Sequence, residues 1–481
     1  MKYESVVLSA VFVPIIGSFL LPVVGRFSAR LRNLLAFLLV VNSFLLSLKL
    51  IQPVLSGQTI LISHPFALGI NFTLTADCLA VFMAGVSSLI SAIIVLYSFG
   101  YISHYENQNE YYSMVVLFLG TMMGLIFSAN LILLYVFWEI TAITSWRLIG
   151  FFREKTYILK ADKSFLVTVF GALVMLLGFV MFYQQFGSFD LPHIKNALGT
   201  SPVANIAVLL ILVGIFSKSA TLPFHTWLPD AGVAPSPVTA LLHAAVLVKI
   251  GVYVFARFFD ATFILPQIWH NLVPIIAAIS AIVSAGAALK ETDLKRIIAY
   301  STISQIGFIF FGFAVGNETA IAGSLLFILT HGFAKAGLFL CAGIIEQNTK
   351  TKDITKLGGL LRTMPITGIS FLFCAFSVMG IPPFGGFFSK YLIFAGAIQA
   401  GQIWITLVFL CGAFLTILYL FRVFNLVFLG EPKGPQAKEG SAVMVFSVSL
   451  LALLSLLSGI LIYYPSLFAN FTAKEMLGIL K

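Results

Sequence analysis

GIFSKSATLPFHTWLPDA, residues Gly214–Ala231, begins inside an apolar run and then carries a lysine, a histidine and two prolines. An ammonium group stands where the neighbouring residues ask for hydrocarbon, and the rest of the chain explains why. Of its 481 residues, 60% are hydrophobic and 10% are charged. Soluble domains are nearer about 45–50% apolar and about 25% charged. Apolar windows long enough to cross a hydrocarbon core of ~30 Å recur from end to end. They lack the alternation of an outer-membrane barrel. The expected fold is an all-α polytopic membrane protein.

Hydropathy and breaker residues predict about fourteen spans. They lie near 4–25, 33–54, 78–102, 112–128, 130–150, 162–187, 203–233, 235–258, 271–289, 295–316, 319–345, 365–396, 402–428 and 441–463. No soluble domain fits in the gaps, and Gly430–Gly440 reads as a flexible loop. The opening residues mimic a signal peptide, but Lys2 and Glu4 cancel and further spans follow, so cleavage is not expected. The net charge of +10 comes from cations scattered over short loops, which does not favour nucleic acid. Counted on alternate loops, eighteen Lys and Arg fall on one side, including Arg26, Arg30, Arg32, Lys155, Lys350 and Lys438. Six fall on the other: Lys2, Lys49, Lys195, Arg257, Lys474 and Lys481. Positive-inside bias places the first set in the cytoplasm and both termini outside the cell membrane. Cys78, Cys341, Cys374 and Cys411 lie in apolar runs without a C-x-x-C pair and read as small buried residues, not as a metal or cluster site.

Lys218, Lys249, Lys335, Lys390 and Glu139 remain, each inside a predicted span. A charge at the bilayer centre costs at least ~2.5–3.5 kcal/mol, so these groups must face the protein interior, pair or meet water. The bland alternatives are helix–helix glue, or snorkelling for Lys390, which is near a span end. His331 stands four residues before Lys335 and shares its helical face, as a proton relay would require. His243, six residues before Lys249, points roughly away from it and towards a neighbouring helix. His225, beside the break, reads as a capping or packing residue.

The spans 203–233 and 365–396 are too long for one straight crossing. Pro223 and Pro229 interrupt the first, and Pro382 and Pro383 the second. Freed backbone groups at membrane depth are tolerated only when buried in protein or lining a wet cavity. Five spans separate Pro223 from Pro382, and that odd number turns the second copy over. We therefore expect two inverted five-helix repeats, 112–258 and 271–428, each with a broken helix. Residues 1–102 and 441–481 flank them within one membrane domain, 1–481.

Several motifs carry a resemblance. LILLYVFWEITAITSWRLIGFF, SKSATLPFHTWLPDAGVAPSPVTALLHAAVLVKIGVY, DLKRIIAYSTISQIG, HGFAKAGLFLCAG and GIPPFGGFFSKYLI together resemble the proton-translocating antiporter-like family. Its members are large membrane subunits of complex I, of Mrp-type cation/proton antiporters and of energy-converting hydrogenases. The resemblance implies ion translocation by Glu139, Lys218, His243, Lys249, His331, Lys335 and Lys390, with H⁺ or Na⁺ as the ion. It implies other membrane subunits as partners, no cofactor in this chain, and any redox chemistry in those partners. LTADCLAVFMAGVSSLISAIIVLYSFGYI leans towards the branch of the largest complex I subunit and the Mrp large subunit. The compact length, without the lateral helix of that complex I subunit, fits Mrp-like and hydrogenase-type hosts better. Trp146-Arg147 depart from the family pattern and are expected to add a cation near the helix of Glu139. A stand-alone secondary transporter is the competing reading, but it would want a mixed polar pocket for a solute. A purely structural scaffold is disfavoured by the intramembrane charges, and a quinone-reducing enzyme by the lack of cofactor motifs.

Overall fold

The computed structural model describes residues 3–66, 70–199, 201–433 and 437–479. Lys2, Lys481 and residues 434–436 of the predicted flexible loop lie outside them. Among the described residues, twelve helices are long and apolar enough to cross a membrane, and two further spans are interrupted. The chain is a multi-pass membrane protein, and each of the fourteen predicted spans has a counterpart.

Helices α1 (Tyr3–Phe27) and α2 (Ala29–Leu55) meet at Ser28, whose Oγ accepts from the Leu31 amide at 3.2 Å and caps α2. The connection to α3 carries an antiparallel hairpin of β1 (Ile60–Pro65) and β2 (Asn71–Ala76), with Ile62 opposite Leu74. Ile60 and Ile62 point inward while Leu61 and Ser63 are exposed, a period of two too short for a span-scale hydropathy window to register. Next come α3 (Cys78–Tyr101), α4 (Gln108–Phe127), α5 (Leu131–Ile149), α6 (Lys155–Phe186), the surface helix α7 (Leu191–Leu198) and α8 (Asn205–Lys218).

The first break follows α8. Ala220 takes a left-handed φ of 54°, and residues 224–233 form only short turns around α9 (Trp227–Asp230). Pro223 stands where the helix is interrupted, and Pro229 is buried within the single turn α9 inside the same interrupted stretch. The eighth span is composite. It runs through α10 (Ser236–Ala240), a π-turn at Leu241–Ala245, α11 (Leu247–Phe255) and a second π-turn at Ala256–Asp260. Helices α12 (Gln267–Lys290), α13 (Leu294–Val315) and α14 (Glu318–Thr349) lead to the second break, between α15 (Pro365–Met379) and α16 (Gly385–Gln399). Gly380, at φ 85°, ends α15 in the left-handed region that glycine adopts without strain. Helices α17 (Ile403–Val427) and α18 (Ala442–Ile460) complete the spans, and α19 (Tyr463–Met476) follows unforeseen.

The connections form two sets, each held together by its own polar contacts. On the lysine-rich face Arg32 reaches Gln108 at 2.7 Å, Glu110 holds Arg147 and Arg153, and Asp230 pairs with Lys163 and Arg296. On the opposite face Asp190 accepts from Asn71 and Asn130, Asp77 pairs with Arg257, and Glu318 pairs with Lys474. Arg147, on the same helix as Glu139, is bound to Glu110 at the polar face. Burial sorts the spans. Within Ser236–Asp260 the apolar window is wholly buried, and in α13 and α14 it is 94% buried, against 33% in α17. Phenylalanines and leucines of α1, α2, α6 and α17 face outward, as lipid contact allows. Cys411 belongs to that outer surface of α17 and is exposed, which corrects the expectation that all four cysteines are buried.

Candidate functional site

Two of the predicted charged residues, Lys249 and Lys335, lie on the most buried spans, whereas Glu139 is on the half-buried α5. Lys218 is the last residue of α8 and is wholly buried. Its ammonium donates to the Trp138 carbonyl of α5 at 3.0 Å and lies 5.3 Å from the Trp138 ring centre, within cation–π range. Glu139, the next residue on α5, is the charged neighbour of Lys218. Its Oε1 is buried without a hydrogen-bond partner, and Tyr135, one turn earlier, also interacts with the carboxylate.

Lys249 of α11 donates to the Ile328 carbonyl of α14 at 2.7 Å. Lys335 of α14 reaches the Ile298 carbonyl at 3.2 Å and Ser301 Oγ at 2.5 Å, and Ser301 accepts from the Tyr419 hydroxyl at 2.7 Å. Lys390 of α16 donates to the Val378 carbonyl of α15 at 2.7 Å, so it bridges the second break. Its ammonium lies 4.7 Å from the Phe308 ring centre and 5.5 Å from that of Phe327. At 4% exposure it does not snorkel.

All four lysines thus share one device, a main-chain carbonyl on another helix. A hydrogen bond to a charged group contributes about 1.5–3 kcal/mol, close to the ~2.5–3.5 kcal/mol insertion penalty. The carbonyls therefore offset burial approximately, and among the described residues Glu139, beside Lys218, is the carboxylate within electrostatic reach of the four. Each ammonium carries three donors and uses one or two, which leaves capacity for a mobile partner.

The histidines are the reverse case. His243 sits in the first π-turn against Phe339, ring centres 4.5 Å apart, and His331 sits one turn from Lys335. Both are buried, and neither ring nitrogen of either has a hydrogen-bond partner. Buried polar groups are nearly always satisfied, so these nitrogens call for a polar partner such as water. Lys249, Lys335, Lys390 and His243 all lie within electrostatic reach of His331. The π-turn brings His243 onto α14.

Sequence reasoning missed several polar groups that this arrangement uses. Ser301 and Tyr419 hold Lys335. Ser87 and Ser91 of α3 are buried without partners, one turn apart, on the helix that meets the first π-turn. Tyr253 and Arg257 follow Lys249 at intervals of four on the eighth span, and that spacing was a readable signal. Arg257, counted from sequence as a loop cation, is buried and paired with Asp77. His225 is half-buried in the turn after Pro223.

Comparison with known proteins extends this geometry. The family model described as "NADH:quinone oxidoreductase/Mrp antiporter, TM" matches residues 128–416, and "NADH-Ubiquinone oxidoreductase (complex I), chain 5 N-terminus" matches 64–112. Na(+)/H(+) antiporter subunit A1 of Staphylococcus aureus (strain JH9) is 34% identical over 496 residues, covering 96% of this chain and 61% of that protein. The chain therefore spans about 61% of the length of that relative. In solved structures, a chain of the Mrp complex from Dietzia sp. DQ12-45-1b superposes with a TM-score of 0.91 at 20% identity, over 99% of this chain and 98% of that one. A chain of the membrane-bound sulfane sulfur reductase, an archaeal respiratory membrane complex, gives 0.89 at 23% identity, over 98% of both chains. At these identities the structural likeness speaks for the fold.

Proposed function

This chain belongs to the NADH:quinone oxidoreductase/Mrp antiporter family of membrane subunits, and on that premise we propose that it carries protons across the cell membrane as one subunit of a larger assembly. The observation that carries the reading is His331, buried with both ring nitrogens unpartnered and surrounded by Lys249, Lys335, Lys390 and His243. A structural histidine would have its nitrogens bonded. A relay histidine keeps them free for water and for the proton.

In this reading Lys218 takes a proton while Glu139 stabilises its charged form. Separation of that pair then drives the proton through water and His243 to Lys249, on to His331 and Lys335, and out by way of Lys390. Protons suit the relay better than sodium. Lysine offers donors only, a bare cation needs oxygen ligands, and Glu139 is the one carboxylate among the seven residues. Residues 112–258 and 271–428 act as inverted repeats whose broken helices provide the hydrated interruptions. The lysine-rich face is cytoplasmic and both termini lie outside. The partners are the other membrane subunits of an Mrp-type, complex I-like or hydrogenase-type assembly, and redox chemistry, where it drives transport, resides in them.

Glu139→Gln and Lys218→Ala are expected to abolish coupled proton flux in vesicles while the protein still folds and assembles. Full flux by either variant would overturn the assignment.

A further inference from the structure

On the face opposite the lysine-rich one, a cavity of about 290 Å³ opens at the end of the eighth span. Its walls include Thr59, Thr75, Asp77, Lys195, Arg257 and Glu475. Arg257, only 4% exposed, donates to both carboxylate oxygens of Asp77, with Nη2 at 2.7 Å from Oδ1. The same guanidinium donates to the Tyr253 hydroxyl at 3.0 and 3.1 Å, and that hydroxyl donates to the Ile126 carbonyl. Tyr253 does not line the cavity but lies behind the ion pair, one turn beyond Lys249. Lys249, Tyr253 and Arg257, at i, i+4 and i+8, share one face of the eighth span, which runs from the buried lysine group to the cavity. A structural ion pair needs one carboxylate, yet this site holds two. Glu475 of α19 accepts from the Cys78 amide at 3.0 Å and lies within electrostatic reach of both Asp77 and Arg257.

We propose that this cavity is the outer proton port of Lys249, with Glu475 as the group that exchanges protons with the external solution and Arg257–Asp77–Tyr253 as its shutter. The inference rests on the proton-carrying reading above and adds an opening distinct from Lys390. In the observed state the shutter is closed, because the Tyr253 hydroxyl has its proton on a carbonyl and its lone pairs on the guanidinium. Release of Arg257 from Tyr253 frees that hydroxyl to pass a proton between Lys249 and the cavity. Burial, aided by the Asp77 charge, raises the Glu475 carboxyl above its usual range, although the Cys78 amide and Arg257 oppose the rise. Burial would raise Asp77 as well, but Arg257 more than offsets it and keeps Asp77 ionised. The groups facing Glu475 are Asp77, Cys78 and Arg257, with Lys195 at the rim. Glu318 of α14 is engaged by the adjacent Lys474.

The test uses vesicles containing the full assembled complex, with external and internal pH varied separately. Glu475→Gln and Glu475→Ala are expected to slow flux several-fold and to flatten its dependence on external pH above the ordinary glutamate value (~4.3), leaving the internal dependence unchanged. Thr75→Cys, modified from outside by a membrane-impermeant thiol reagent, is expected to block flux, which guards against a Glu475 variant that fails to assemble. Wild-type flux and external pH profile in both Glu475 variants, with Thr75→Cys insensitive to the reagent, would overturn the port while Glu139→Gln still abolished flux. Retention of flux by Glu139→Gln would instead remove the relay itself.

Discussion

A Cβ built on Gly332 would lie 2.7 Å from the Lys249 ammonium and 2.4 Å from Ile90 Cδ1. Both neighbours are tips of flexible side chains, so the backbone need not move, but the ammonium must. Lys249 then loses its position between the Ile328 carbonyl and His331. We expect Gly332→Ala to reduce proton flux several-fold with little change in thermal stability, since the overpacking relaxes at side-chain tips and costs no more than the lower end of about 1–3 kcal/mol. Equal flux in the variant and the parent would show that the Lys249 position is not needed. The buried lysines themselves were legible as residues, because a cation within an apolar window stands out in any hydropathy reading. Their acceptors were not legible. Trp138 lies 80 residues from Lys218, and Ile328 lies 79 from Lys249, so only packing brings each carbonyl to its ammonium.

At the scale of elements, the second break is a close contact between two half-helices as well as an interruption. A Cβ on Gly386 would meet the Ser377 carbonyl at 1.8 Å, and one on Gly459 of α18 would meet the Pro383 carbonyl at 1.9 Å. Both obstacles are backbone, which yields far less than a side-chain tip. We expect Gly386→Ala to destabilise the assembled protein by about 1–3 kcal/mol or more, read as a lower melting temperature in detergent. Gly286→Ala on α12, where nothing lies within 4 Å, is the control and should be neutral or slightly stabilising. A melting temperature for Gly386→Ala equal to the control would contradict this picture. The prolines announced both breaks. The left-handed Ala220, the two π-turns of the eighth span and the hairpin at 60–76 were not announced, because they depend on which hydrogen bonds neighbouring helices leave available. The notable consequence is His243, which a π-turn carries onto α14.

For the whole molecule, the alternation of lysine-rich and lysine-poor connections agrees with the two contact sets found on opposite faces. Asp230 is the clearest link between the two proposed halves. It pairs with Lys163 of α6 and with Arg296 of α13, each at 2.7 Å. In intact cells lacking Cys411, a cysteine at Gln58 should react with an impermeant reagent, and one at Thr355 should react only after permeabilisation. Both positions are exposed, on opposite faces. The reverse labelling pattern would invert the proposed orientation and place the Glu475 cavity in the cytoplasm.

The amino-acid sequence by itself determined the number of spans, the two interruptions, the uneven distribution of cations and the identity of the buried charges. Each of these follows from a one-dimensional rule: hydrocarbon excludes charge and unpaired backbone over a length of about twenty residues. Only the tertiary structure decided which carbonyl each lysine meets, that the ring nitrogens of His243 and His331 are left without protein partners, and that Arg257 is buried against Asp77 and not in a solvated loop. Those outcomes depend on helices brought together across long stretches of chain, and no local pattern encodes the distance between them.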